Sequence, residues 1–374
     1  MPPERRRPAR VVIAPDSFKG SITARAAARA IAAGWLTVCP EDTVIPAPMA
    51  DGGEGTLAAF ESHSKGATRM PIRVSGPHGK KVNAHWLLLR DGTGVVELAN
   101  TSGIELVPSI DDLLPLEANT VGFGEAIRDA LRAGVNKLVL AIGGSASTDG
   151  GAGLLWSLGA RLKDQDDQEL PPTPRGLQHV ARIDRATLAA PPRGGVTVLT
   201  DVSAPLLGPT GAATVFGPQK GASQSDIVLI ERALKNWAGL LDADPSRAGA
   251  GAAGGTGFAL AAWGGQLVPG AREVAKLIDL DHTVSGADLV VTGEGRFDGQ
   301  SAHGKAPTVT SDIARARHIP TALIAGRIDV DTSEYDWALS LTDIAGSPNS
   351  ALSRPATALN RAGALLATSY YTGR

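Results

Sequence analysis

Short apolar runs alternate along this chain with polar segments rich in glycine. Val11-Val12-Ile13-Ala14 is β-branched and too short for a helix, so it reads as a buried strand. Asp16 to Gly20 follows as a loop, and Thr23 is placed to cap an Ala-rich helix predicted over Ala24 to Val38. Thr43-Val44-Ile45 is a second strand. It runs into Pro48-Met49-Ala50-Asp51-Gly52-Gly53-Glu54-Gly55-Thr56, and a helix begins near Leu57. Strand, loop and helix, twice over, is how a parallel sheet begins.

The pattern then changes. Lys81 to Leu89 and Gly94 to Leu98 are strand-like runs joined across Asp91-Gly92, which predicts an antiparallel hairpin. A helix is expected over about Gly124 to Ala133, then a strand over Leu138 to Ile142, a loop from Gly143 to Gly151 and another helix. Val196 to Leu199 is a strand ending at Asp201, Asp226 to Leu241 a long amphipathic helix, and Gly249 to Gly257 a glycine-dense loop before a short helix. The β/α rhythm returns with a strand over Asp288 to Val291, a loop from Gly293 to Gly304 and a helix from about Pro307. Strands over Thr321 to Ala325 and Ala338 to Leu341 and a last helix over about Pro355 to Thr368 complete it. The two ends match and the middle differs. The expected fold is therefore α/β: a discontinuous Rossmann-like (flavodoxin-like) parallel-sheet domain over 1–70 and 285–374, with a second, mixed α/β domain inserted over 71–284.

Composition narrows the function. A length of 374 residues suits two domains. A formal net charge of -2 argues for neither a nucleic-acid nor an acidic-membrane partner. Arg5-Arg6-Arg7 lies in a Pro-rich stretch that reads as a solvated tail. No apolar run approaches the ~18 residues of a membrane span, and Asp16 and Lys19 interrupt any signal-peptide core. The single cysteine, Cys39, allows no internal disulfide and no cysteine zinc site, which suits a reducing cytoplasm. Glycine is abundant, 45 residues or about 12% of the chain, against a usual ~7%. These glycines gather where apolar runs end, as tight loops approaching a ligand require.

In an open parallel sheet, ligands bind beyond the carboxyl ends of the strands. Five polar, glycine-bearing loops sit at such positions: Asp16 to Gly20, Asp51 to Thr56, Gly143 to Gly151, Asp201 onward, and Gly293 to Lys305. They supply carboxylates (Asp16, Asp51, Glu54, Asp149, Asp201, Glu294, Asp298), the cations Lys19, Lys305 and Arg296, and the hydroxyls Ser145, Ser147 and Thr148. Phosphoryl transfer uses these parts: backbone N–H groups at helix starts for phosphate, cations and magnesium for its charge, and a carboxylate for the hydroxyl proton. Taken singly, each loop has a plainer reading. Asp16-Ser17 could cap a turn, Asp51-Gly52-Gly53 could form one, Asp201 could cap a strand end, Glu294 and Asp298 could be solvated, and His303 could be structural. Gly299 to Ala306 matches GxxxxGK but ends in alanine where a P-loop needs a hydroxyl for magnesium, so an ordinary P-loop is rejected. No GxGxxG follows the first strand, which argues against a dinucleotide dehydrogenase.

Longer strings carry a family resemblance. Ala14-Pro15-Asp16-Ser17-Phe18-Lys19-Gly20-Ser21 and Pro48 to Thr56 resemble the opening motifs of type I glycerate kinases. Ile142-Gly143-Gly144-Ser145-Ala146 with Asp149-Gly150-Gly151-Ala152-Gly153 resembles a third. Val215-Phe216-Gly217-Pro218-Gln219-Lys220-Gly221-Ala222 resembles a fourth. Thr292-Gly293-Glu294-Gly295-Arg296 with Asp298, Gln300 and Gly304-Lys305-Ala306-Pro307 resembles a fifth. They occur in family order over nearly the whole chain. The resemblance implies that ATP and D-glycerate give ADP and 2-phosphoglycerate, with magnesium, in a cleft between the two domains. The mechanism expected for such a site makes Asp51, Asp298, Lys19 and Lys305 catalytic, with Asp51 or Asp298 accepting the proton, although the resemblance itself assigns no acid its role. Asp16, Ser17, Arg296 and Glu294 are expected to bind substrate, with Arg296 or Lys19 pairing the carboxylate. Gly143, Gly144, Ser145, Gly150 and Gly293 are expected on phosphate, and Asp149 and Asp201 on magnesium. Three departures bear on substrate preference: Ser147-Thr148 where the family usually has Thr-Asn, Ala204 in place of an Asn, and Leu113-Leu114-Pro115-Leu116 in place of Arg-Asn-Pro-Leu. The rival readings are a kinase for another small hydroxy acid or one giving the 3-phosphate, a non-catalytic sensor of glycerate or nucleotide, and a metal-dependent phosphatase.

Overall fold

The computed structural model describes residues 7–64, 66–299 and 304–373. Arg5, Arg6, Gln300 and His303, named above, lie outside them. The chain divides into two compact units. The first comprises Met1–Asp51, Ala58–Lys65 and Ala271–Arg374, and the second Gly52–Leu57 and Gly66–Gly270.

The first unit is built on a five-stranded sheet in the order Trp337–Ser340, Thr321–Ile328, Leu289–Phe297, Arg10–Ile13, Thr43–Pro46. Every pairing is parallel. In chain order the strands read 2-1-3-4-5, the flavodoxin-like arrangement expected, and the order reverses between Arg10–Ile13 and Leu289–Phe297. Val11, Val12, Ile13 and Leu289 to Val291 have no exposed surface, because helices cover both faces of such a sheet. One correction concerns the segment after Val291. Gly293 to Phe297 is strand rather than loop, since Leu289–Phe297 stays in register with Thr321–Ile328 as far as Phe297↔Ile328. The helix Ala24–Val38, capped by Thr23, lies against the C-terminal helix Pro355–Thr372. Their backbones nearly touch: a Cβ on Gly34 would sit 1.8 Å from the Asn360 carbonyl oxygen. Asp42 ties the end of this pair, accepting from Trp35 Nε1 at 2.8 Å and from the Tyr371 hydroxyl at 2.6 Å.

The second unit carries a six-stranded sheet in the order Gly265–Val268, Val196–Leu199, Lys137–Ala141, Thr93–Glu97, Lys81–Leu88, Thr68–Ser75. The first four strands run parallel, and the last two add antiparallel through the predicted hairpin. Thr68–Ser75, absent from the sequence reading, contains Pro71 and forms the sheet edge, where a missing N–H is tolerated. The core beneath this sheet buries Trp86, Phe123, Trp237 and Phe258 completely. The glycine-dense segment is also more than a loop. It opens the helix Ala252–Ala262 with a left-handed turn at Ala253 (φ 52°), Gly254 (φ 65°) and Gly255 (φ 91°). Among the described residues, no helix is long and apolar enough to cross a membrane.

Candidate active site

In the first unit, the strand-order reversal places two loops side by side. Beyond the sheet proper, Ala14 N–H donates to the Val291 carbonyl at 2.7 Å and Asp16 N–H to the Gly293 carbonyl at 2.8 Å. Ala47 N–H and Met49 N–H in turn bond to the Ile13 and Pro15 carbonyls, which brings up the segment ending at Asp51. Asp16, Asp51, Lys19 and Glu294 therefore act on one another at the carboxyl end of this sheet. Asp16 is only 5% exposed. Burial raises its carboxyl well above the ordinary range, and the charges of Asp51 and Glu294 add to the rise. The Ser17 N–H, donating at 2.6 Å, and Lys19 oppose it. The Ser17 hydroxyl is buried and has no partner among the described residues. A buried hydroxyl without a partner is costly, and beside a carboxyl and a lysine it suits an oxygen-rich ligand.

In the second unit, the parallel strands end on three features. The first is Glu97, closing Thr93–Glu97. It is buried beneath the segment Gly52–Leu57, accepting from Leu57 N–H at 3.0 Å and from the backbone of Gly55 and Thr56. Burial pushes its carboxyl up to about 7 against those bonds. The second is the loop Gly143 to Gly151. Gly143 N–H donates to the Gly52 carbonyl at 3.1 Å, and a Cβ on Gly143 would lie 2.6 Å from Gly53 Cα. The two glycine segments are thus packed backbone on backbone, which any side chain there would prevent. The third is Asp201, exposed at the end of Val196–Leu199, which accepts from Gly270 N–H at 2.6 Å.

The glycine loop is held from inside. Asp149 is fully buried and accepts from Thr120 N–H at 2.8 Å, Thr120 Oγ1 at 2.7 Å, Ser147 Oγ at 3.2 Å, Gly151 N–H at 3.2 Å and Gly153 N–H at 3.1 Å. Lys220, 2% exposed, donates through Nζ to Ser145 Oγ at 2.7 Å and to the Ser147 carbonyl at 2.5 Å. Burial pushes its ammonium down to about 7, with Asp149 opposing.

Residues 11–370 match the model of the glycerate kinase family. The chain belongs to that family. A protein of Escherichia coli (strain K12) named glycerate 2-kinase is 41% identical over 330 residues, covering 86% of either chain. A glycerate kinase of Bacillus subtilis (strain 168) is 40% identical over 332 residues, covering 87% of this chain and 86% of that protein. A solved structure from Salmonella typhimurium LT2, assigned as glycerate kinase 2, superposes with a TM-score of 0.81 at 37% identity, over 98% of this chain and 99% of its own. The protein is a kinase.

Of the residues expected at the site of this glycerate kinase family member, Asp149, Gly293 and the N–H groups of Gly143 and Gly150 are engaged within the protein. Asp149, expected on magnesium, has both oxygens engaged by five donors and does not fit a metal ligand; it anchors its own loop. Gly293, expected among the phosphate-binding glycines, lies within a strand, where a Cβ would meet the Ile324 carbonyl at 2.0 Å. Arg296 is exposed and donates to Asp329 at 2.6 Å, with Asp298 at 3.9 Å. Lys305 stands at the N-cap of the helix Ala306–Arg315. Among the described residues, no three acidic, histidine or cysteine side chains form a group able to hold a metal ion. Asp201 donates nothing to such a group but keeps an exposed carboxylate. Two residues were not singled out in the sequence. Glu97 ends an apolar strand with a charge, which was a readable signal. Lys220 lay within a family motif with no role attached.

Proposed function

We propose that this protein transfers the γ-phosphoryl group of ATP to the 2-hydroxyl of D-glycerate, giving ADP and 2-phospho-D-glycerate. The observation that carries the reading is the group of charges around buried Asp16, namely Asp51, Glu294 and Lys19, with the buried Ser17 hydroxyl next to Asp16 in the chain. It combines a cation for the glycerate carboxylate with acids able to take a proton. Lys19 or Arg296 pairs with the glycerate carboxylate. As the 2-oxygen forms its bond to the γ-phosphorus, the bond to the bridging oxygen of ADP breaks, and the hydroxyl proton passes to the Asp16–Asp51 pair. A carboxyl raised toward neutrality is better matched to that task than an ordinary one. The Gly144 N–H and the Ser145 hydroxyl bind phosphate, the Gly143 and Gly150 N–H groups being engaged by the Gly52 and Gly254 carbonyls, and Lys305 neutralises charge on the transferred group. Asp201 would help hold a magnesium ion bound with ATP, and that ion would neutralise phosphate charge. A reducing cytoplasm suits the single thiol of Cys39.

The test is to incubate the protein with ATP, magnesium and D-glycerate, follow ADP release and identify the product by phosphorus NMR. Glycerate-dependent ADP release with phosphate on the 2-oxygen is expected. A 3-phosphate would keep the kinase and overturn the placement of the hydroxyl. Binding of glycerate or ATP without turnover would move the reading to a sensor.

A further inference from the structure

Lys220 is remote in sequence from the glycine loop, yet its ammonium is committed to it. The side chain rises from the 3₁₀ turn Pro218–Lys220, closed by Gly221 at φ 83°. It is buried to the point that it cannot meet a substrate in solvent, and both of its hydrogen bonds go to one loop, at Ser145 Oγ and the Ser147 carbonyl. The Ser147 carbonyl is held from another direction as well. A Cβ on Gly254 would sit 2.2 Å from it, and Gly150 N–H donates to the Gly254 carbonyl at 2.9 Å. Asp149 gathers Ser147 Oγ, Gly151 N–H and Gly153 N–H from inside the turn. The loop is thus fixed at Ser145, Ser147, Gly150 and Gly151, and the Thr148 hydroxyl is buried without a partner among the described residues. A buried ammonium is a poor choice for mere packing, where an apolar side chain serves as well. What it adds is direction, since it fixes two oxygens at a set spacing.

We propose that Lys220 is a positioning residue for nucleotide binding: by holding Ser145 and Ser147 it sets the path of the Gly143 to Gly151 loop, and so the aim of the N–H groups that receive the phosphates. This inference rests on the reading that the loop binds ATP. It predicts a selective effect. Lys220→Met keeps length and volume but loses both bonds. With the loop displaced by a fraction of an ångström to an ångström, the KM for ATP should rise about 10- to 100-fold. The KM for glycerate, which the proposed site binds at Asp16 and Lys19, should stay within about two-fold. Lys235→Met, on the exposed side of the helix Gln224–Ala238, is the control and should match the unaltered protein.

The experiment measures both KM values and kcat for the three proteins, with circular dichroism to verify folding. A folded Lys220→Met protein with an unchanged KM for ATP overturns the proposal, as does an equal rise in both KM values. Should that variant fail to fold, Lys220→Gln keeps a polar group at the position but is too short to hold both loop oxygens, and is measured in its place. The same ATP-selective rise is then expected, and its absence is decisive against the idea. If the unaltered protein releases no ADP with glycerate, the kinase reading fails on its own. Calorimetric ATP affinities of the unaltered and Lys220→Met proteins then decide the role of Lys220 separately: a weaker affinity supports it, and an equal one rejects it.

Discussion

Glu97→Gln isolates a pH-dependent contribution to stability. The Glu97 carboxyl is buried, and burial raises it from an ordinary 4.5 to about 7, although Leu57, Gly55 and Thr56 donate to it. A carboxyl raised in the folded state holds its proton longer than in the unfolded chain. Its contribution to stability is therefore complete below about 4.5 and is lost as pH rises through about 7. At about 1.4 kcal/mol per pH unit, the gap between 4.5 and about 7 corresponds to about 3 kcal/mol. Glutamine keeps an acceptor oxygen for Leu57 N–H and does not titrate. Other groups also titrate, Lys220 with the opposite sign, so the absolute stability of either protein is uninformative. The difference between them is not. Urea denaturation of both proteins at pH 5, 6, 7 and 8 should show the unaltered protein losing ground to Glu97→Gln as pH rises, by about 2.5 kcal/mol between pH 5 and 8, with the change levelling off above pH 8. A difference that is flat from pH 5 to 8, or that moves the other way, would refute the argument that burial dominates over the three backbone bonds.

Two further outcomes follow from the geometry. Glycine inside a helix normally costs about 1 kcal/mol relative to alanine, but Gly34→Ala would place a Cβ 1.8 Å from the Asn360 carbonyl oxygen; thermal unfolding should show a net loss of about 1–3 kcal/mol, and a gain would mean that the two helices are not in backbone contact. Asp51→Asn should lower kcat by about 10²- to 10⁴-fold with an unchanged circular dichroism spectrum, and near-normal turnover would remove Asp51 from the proton-accepting pair.

The legible parts of this structure are those with local causes. Val11 to Ile13 and Val196 to Leu199 announce themselves as strands because buried parallel strands carry apolar runs, and Thr43 to Ile45, at the sheet edge, does so through its β-branched residues. The Asp91-Gly92 hairpin is readable because its turn needs a residue at positive φ, and Gly92 stands at 82°. Gly293 to Phe297 reads as loop because its two glycines and two charges hide a strand that pairing with Thr321–Ile328 makes stable. Pro71 concealed an edge strand in the same way. At the site, Asp16 and Asp51 stood out because each begins a glycine-bearing loop. Lys220 did not, because its partner Ser147 is 73 residues away and nothing near position 220 reveals that the amine turns inward. Asp149 misled for the converse reason. A carboxylate in a glycine loop looks the same in sequence whether it faces a metal or its own backbone, and only the five donors distinguish the cases.

The parallel sheet of the first unit has a consequence for biosynthesis. The Thr292 hydroxyl donates to the Ala14 carbonyl across 278 residues of chain. At a ribosomal rate of about 5–20 residues per second, the first strand leaves the ribosome about 15–55 seconds before its neighbour Leu289–Phe297 has been made. During that interval its only available neighbour in the sheet is Thr43–Pro46, and one apolar edge stays uncovered. The second unit has no such delay, since Gly66–Gly270 is one continuous stretch and can close its core while the rest is still being translated. The nascent chain thus carries an unfinished strand edge past a finished domain, the circumstance in which a holding chaperone at the N-terminal segment has most to protect.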